Sequence, residues 1–148
     1  MSNRILSYRS LLADGGQDQI LLTTKKGEVG YRIVKFQVMS KRPYDDQSAE
    51  HILKIYKEEQ SSIDGVIDFS DNRLLGAGIT NNDVSGYRYG STTAIIFDQE
   101  IFNQDIYITH KDVIANTRSC NYYLELEIIK LDESQAMVAT LKDIRNNS

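Results

Sequence analysis

From about residue 19 onward, apolar side chains recur at every second position in short runs, with turn-forming residues between the runs. A period of two puts successive side chains on opposite faces of an extended chain, so the pattern predicts half-buried β-strands. The runs cover 19–24, 31–39, 51–57, 63–69, 92–97, 105–109, 121–131 and 136–141. Alternation is cleanest over 63–69, where Ile63, Ile67 and Phe69 share one side and Asp64 and Asp68 lie opposite with Val66. Over 122–128, Tyr122, Leu124, Leu126 and Ile128 oppose Tyr123, Glu125 and Glu127; the phase then slips at Ile128-Ile129, which predicts a bulge. Polar turn signals stand at Lys25-Lys26-Gly27, Arg42-Pro43-Tyr44-Asp45-Asp46, Asp71-Asn72, Asn81-Asn82-Asp83 and 131–135, the last reading as a hairpin. Residues 74–79 contain Gly76-Ala77-Gly78, which argues against a helix, and read as an edge segment or an irregular connection.

Before this pattern begins, Ile5, Leu6, Leu11 and Leu12 have the spacing of a short amphipathic helical turn, which Asp14-Gly15-Gly16 would end. Residues 1–16 are therefore expected to form a helical turn or arm, packed on its own domain or docked on a neighbouring subunit, and 17–148 a single domain. Nowhere between the strand runs is there a crossover helix of a dozen residues, so two packed antiparallel sheets fit better than an α/β layer. The expectation is an all-β sandwich of about eight strands, with long connections at 40–50, 76–91 and 110–120 that favour jelly-roll or Greek-key wiring.

Composition supports folding: Leu, Ile, Val and Phe make up 40 of 148 residues, above the roughly 20% below which charged chains stay disordered. Ile outnumbers Leu 17 to 12 and Ala is only 7, a balance that suits strands. The net charge of -4 offers no positive field for a phosphate backbone, so nucleic acid is not expected as the primary partner. No apolar run reaches the length of a signal-peptide core or a membrane span, and no membrane partner is expected. The single cysteine, Cys120, leaves no internal disulfide to form and points to a reducing compartment.

No motif carries assignable chemistry. Gly76-Ala77-Gly78 starts like a dinucleotide fingerprint, but Asn81 ends the match and no βαβ unit surrounds it. His51, His110 and Cys120 are the only imidazoles and thiol, too few for a four-ligand zinc site without carboxylates. The expectation is an exposed strand-end His110 and a Cys120 that packs as a small hydrophobe, with no metal and no cofactor. A Cys–His nucleophile pair across 110–120 is conceivable, but one sequence does not bring the two together. Asp64 with Asp68 and Glu125 with Glu127 read as the wet side of alternating strands. Tyr107, Tyr122 and Tyr123 could line one sheet as an aromatic strip, though cross-strand packing is the commoner use. Residues 80–91 differ in kind, mixing Tyr, Arg, Asn, Ser and Gly as binding surfaces do, which makes Asn81, Asn82, Tyr87, Arg88 and Tyr89 the candidate partner contacts.

Several blocks together carry a family resemblance: Gly30-Tyr31-Arg32-Ile33-Val34-Lys35-Phe36-Gln37-Val38-Met39, Ile67-Asp68-Phe69-Ser70-Asp71, and Ile101-Phe102-Asn103-Gln104-Asp105-Ile106-Tyr107-Ile108-Thr109-His110-Lys111-Asp112. Asn121-Tyr122-Tyr123-Leu124-Glu125-Leu126-Glu127 and Ala139-Thr140-Leu141-Lys142-Asp143-Ile144-Arg145-Asn146 extend it. From about residue 28 onward the chain resembles small virion structural proteins of tailed bacteriophages of marine bacteria. The resemblance implies a non-catalytic capsid-decorating, neck or tail component, assembled in the bacterial cytoplasm with copies of itself and other virion proteins. It carries over no catalytic or binding residue. The other reading is a receptor- or glycan-binding module that uses loop 80–91 on a host surface glycan.

Overall fold

The computed structural model describes residues 4–22, 28–43, 48–82 and 92–130. Among them there is no helix; eight strands form two antiparallel sheets. These are β1 (Ile5–Leu12), β2 (Gln17–Ile20), β3 (Val29–Ser40), β4 (Ala49–Tyr56), β5 (Leu74–Asn82), β6 (Thr92–Ile96), β7 (Ile106–Asp112) and β8 (Cys120–Lys130). One sheet has the order β1-β8-β3 and the other β2-β7-β4-β5-β6. Strands pair as nested sets, β1 with β8, β2 with β7 and β4 with β5, the wiring of a jelly roll. The sixth strand departs from that scheme, bonding to β5 while also packing against β3. The expected all-β sandwich is thus the observed fold.

The core lies between the sheets. Alternation in β8 turns Tyr122, Leu124 and Leu126 inward, where they meet Ile33 of β3, Leu53 and Ile55 of β4, and Ile106 and Ile108 of β7. Tyr123, Glu125 and Glu127 face outward, as the pattern predicts.

Four expectations are corrected. The first strand is not a helical turn: residues 5–12 pair along their whole length with β8, Leu12 enters the core, and Leu6 packs against it. Ile5 and Leu11 point away. An eight-residue segment offered an open sheet edge satisfies its backbone there, whereas an isolated helix this short is marginal. Residues 63–69 form no strand, because their acids turn the chain back on itself: Asp64 accepts from Val66 N at 3.0 Å and Asp68 from Ser70 N at 2.9 Å. The glycine-rich segment 74–79 is part of β5, an interior strand bonded on both sides. The bulge sits in β3 between Ile33 and Lys35, not at Ile128-Ile129, which pairs regularly with Tyr31 and Gly30. The expected strand at 136–141 and hairpin at 131–135 lie outside the described residues.

The outer face of the five-stranded sheet is covered in part by residues 57–73. Lys54 is buried there, donating to Asp64 Oδ1 at 2.9 Å and to Val66 O at 2.6 Å. Burial works against its charge, but hydrogen bonds with Tyr56 and Asp64 outweigh that and hold its pKa above the ordinary lysine value. The outer face of the three-stranded sheet carries no such cover among the described residues.

Candidate functional site

At one end of the sandwich the inward alternation of two neighbouring strands changes from aliphatic to polar. On β4 the inward series is Ile55, Leu53, His51, and on β7 it is Ile106, Ile108, His110, Asp112. Register places His51 opposite Asp112 and Leu53 opposite His110, so the two histidines are diagonal neighbours on one face. Cys120, the first residue of β8, faces them from the other sheet. All four side chains have no solvent exposure.

The turn from β1 to β2 closes this end. Gly16 N donates to Ala13 O at 2.9 Å, with Gly15 at φ 74°, a left-handed conformation that glycine adopts without a Cβ clash. Paired bonds, Gly15 N to His110 O and His110 N to Gly16 O, dock the turn on β7. Asp14 accepts from Asp112 N at 2.8 Å and from Lys111 Nζ at 3.3 Å. Asp112 in turn holds the following loop, accepting from the backbone N–H of Glu50, Ile114, Ala115 and Arg118. Burial opposes its ionisation, yet these N–H groups keep its pKa below the ordinary carboxylate value.

The hydrogen-bond network assigns the tautomers. His110 Nδ1 lies 3.1 Å from both Leu12 O and Ala13 O, so it carries the proton and donates. Its Nε2 is then an acceptor, and His51 Nδ1 donates to it at 2.9 Å. His51 Nε2 is left as a bare lone pair, buried and without a hydrogen-bond partner. Burial, then the neighbouring His110, lower the His51 pKa to about 4, and burial lowers that of His110, so both rings are neutral at pH 7. Burial pushes the Cys120 thiol up to about 12, and its Sγ lies 3.5 Å from Met39 O and from Asn121 O. One ligand atom from each of His51, His110 and Cys120 lies within 4.8 Å of the other two.

This overturns the expectation of an exposed strand-end His110. Cys120 is buried as expected, but beside two imidazoles rather than among hydrocarbon alone. A signal for the cluster was present in the chain: His51 is in phase with Leu53 and Ile55, and His110 with Ile106 and Ile108. What no spacing in the sequence encodes is the pairing of β4 with β7.

The other candidate contacts separate. Tyr87, Arg88 and Tyr89 lie outside the described residues. Asn82 is buried at the end of β5, where its amide donates to Arg42 O at 2.8 Å; Asn81 beside it is partly exposed. The tyrosines form no strip. Tyr122 faces the core and donates to Asp18 at 2.7 Å, Tyr123 is on the outer face of the same sheet, and Tyr107 belongs to the other sheet.

No family model matches the chain, and no curated protein matches it. Among solved structures, a chain from Bacillus endospore appendages, described as disulfide-linked pili, is similar at 6% identity and TM-score 0.35, covering 89% of this chain and 93% of that one. The Yersinia pseudotuberculosis-derived mitogen is similar at 14% identity and TM-score 0.30, covering 90% and 93%. A third is the virus-like particle of extra small virus from the giant freshwater prawn Macrobrachium rosenbergii, at 7% identity and TM-score 0.30, covering 86% and 81%. At these values the likenesses carry no functional argument, and the fold stands on its own strand pairing.

Proposed function

We propose that this chain is a non-catalytic structural subunit that works by assembling with copies of itself, as a virion component of a tailed bacteriophage. The observation that carries the reading is the outer face of the three-stranded sheet. Register sets its rows across β1, β8 and β3 as Leu11–Asn121–Met39, Arg9–Tyr123–Gln37, Ser7–Glu125–Lys35 and Ile5–Glu127–Arg32. Met39 is 65% exposed, Ile5 47% and Leu11 43%. One apolar end row, Leu11 and Met39, beside rows of mixed charge that include the Arg32–Glu127 ion pair, suits a specific contact with a like surface. The sequence resemblance to phage virion proteins supports the finer part of the reading.

Sedimentation velocity and mass photometry across a wide concentration range test the first part. The wild type is expected to associate, and Leu11→Glu with Met39→Glu to raise the midpoint concentration at least about tenfold while the monomer stays folded, since about 1.4 kcal/mol corresponds to that factor. Mass spectrometry of purified phage particles tests the second, with the chain expected at a fixed copy number. A strict monomer that is missing from particles would overturn the proposal.

A further inference from the structure

The cluster of His51, His110 and Cys120 has the chemistry of a ligand set, and its parts are arranged as metal ligands are. His110 is oriented by a second contact, its Nδ1–H donating to Leu12 O and Ala13 O, which leaves Nε2 free to act as a base. His51 has a fully buried Nε2 with no partner, an arrangement that costs free energy unless something fills it. The thiol faces them from the opposite sheet. We propose that these three side chains bind a thiophilic d10 cation, zinc in the first place, which joins β4 and β7 of one sheet to β8 of the other.

Zinc–nitrogen bonds of 2.0–2.1 Å and a zinc–sulfur bond of 2.3 Å set donor separations of about 3.3–3.6 Å in a tetrahedral site. In the present structure one donor atom from each of the three side chains lies no more than 4.8 Å from the other two. Closure therefore needs side-chain shifts on the order of 1 Å. On binding, the thiol proton is released and sulfur coordinates as thiolate; each imidazole stays neutral, keeping one N–H and supplying the lone pair of its other nitrogen, and the hydrogen bond between the rings is given up. The resulting charge sits near two acids, Asp14 and Asp112, whose fields act on His51. A chain with one cysteine has no internal disulfide to tie its sheets together, and a cation here would serve that purpose. Since the ligands have no solvent exposure, uptake accompanies folding.

The test is to refold the full chain from urea with zinc or cobalt(II), remove excess metal by dialysis, and measure the bound metal. One zinc per chain is expected, together with a rise in Tm of about 5–10 °C over metal-free protein at a free metal level near 100 Kd. Cobalt should give a thiolate-to-metal charge-transfer band, absent in Cys120→Ser, and His51→Gln should weaken affinity by about 100-fold or more. If a variant does not fold, the wild-type cobalt spectrum decides the matter. No metal retained after refolding overturns the inference. So does metal retained without the thiolate band, since that binding belongs to surface carboxylates.

Discussion

Protonating His51 is harder in the folded protein than in the unfolded chain, because the ring is sealed between two sheets beside a second imidazole. With the pKa lowered from 6.5 to about 4, the unfolded chain takes up a proton below pH 6.5 that the folded chain refuses. Stability from this group is therefore complete above pH 6.5, declines as pH falls toward 4, and changes little further below that, with a full effect of about 3 kcal/mol at most. The shift of His110 has the same sign, while the carboxylates facing the pair, Asp14 and Asp112, oppose it. Urea unfolding of metal-free protein between about pH 7 and about pH 4 should show this slope, and His51→Gln should flatten it. An equal slope in both proteins would assign the acid sensitivity elsewhere. At this scale the chain holds the phase of His51 with Leu53 and Ile55 and of His110 with Ile106 and Ile108, yet the sequence reading expects His110 exposed; the 2.9 Å contact of the two rings joins residues 59 apart in the chain.

In the strands, β5 shows why glycine content misleads. A Cβ on Gly78 would lie 3.0 Å from Val38 Cγ1 and 3.1 Å from Phe36 Cε2, both on β3 of the opposite sheet. The missing side chain lets the sheets approach, a packing role that propensity does not register. Gly78→Val should destabilise the fold by about 1–3 kcal/mol through overpacking, read as a lower urea midpoint with an unchanged slope. An unchanged midpoint would mean that the sheets separate there without cost. Residues 63–69 misled in the opposite direction. Alternation there is clean, yet Asp64 and Asp68 bond to the backbone two residues on, and a regular strand would forfeit those bonds. The expected strand count of eight thus agrees with the described one while the membership differs: β1 and β5 lie outside the expected set, 63–69 form no strand, and 136–141 lie outside the described residues.

Over the whole molecule, jelly-roll wiring makes the N-terminal strand part of the scaffold. It covers one edge of β8, and its last residue, Leu12, is in the core and lends its carbonyl to His110. Deleting residues 1–12 should lower folding stability by at least about 3 kcal/mol, from the burial of Leu6 and Leu12 alone. A docking arm behaves differently: its removal leaves the urea midpoint in place and abolishes only association. The two sheets also differ in exposure, since residues 57–73 lie over one outer face while the Leu11–Met39 row on the other stays open.

The sequence by itself determined the layered all-β architecture, the inward and outward faces of β8, and a cysteine without a disulfide partner. These follow from local alternation and composition, which are properties of a few consecutive residues. Only the tertiary structure decided that residues 5–12 close a sheet, that Gly78 lies where the sheets approach, and that His51, His110 and Cys120 meet. Those outcomes depend on which strands become neighbours, and pairing is settled by the packing of the whole core rather than by any single segment.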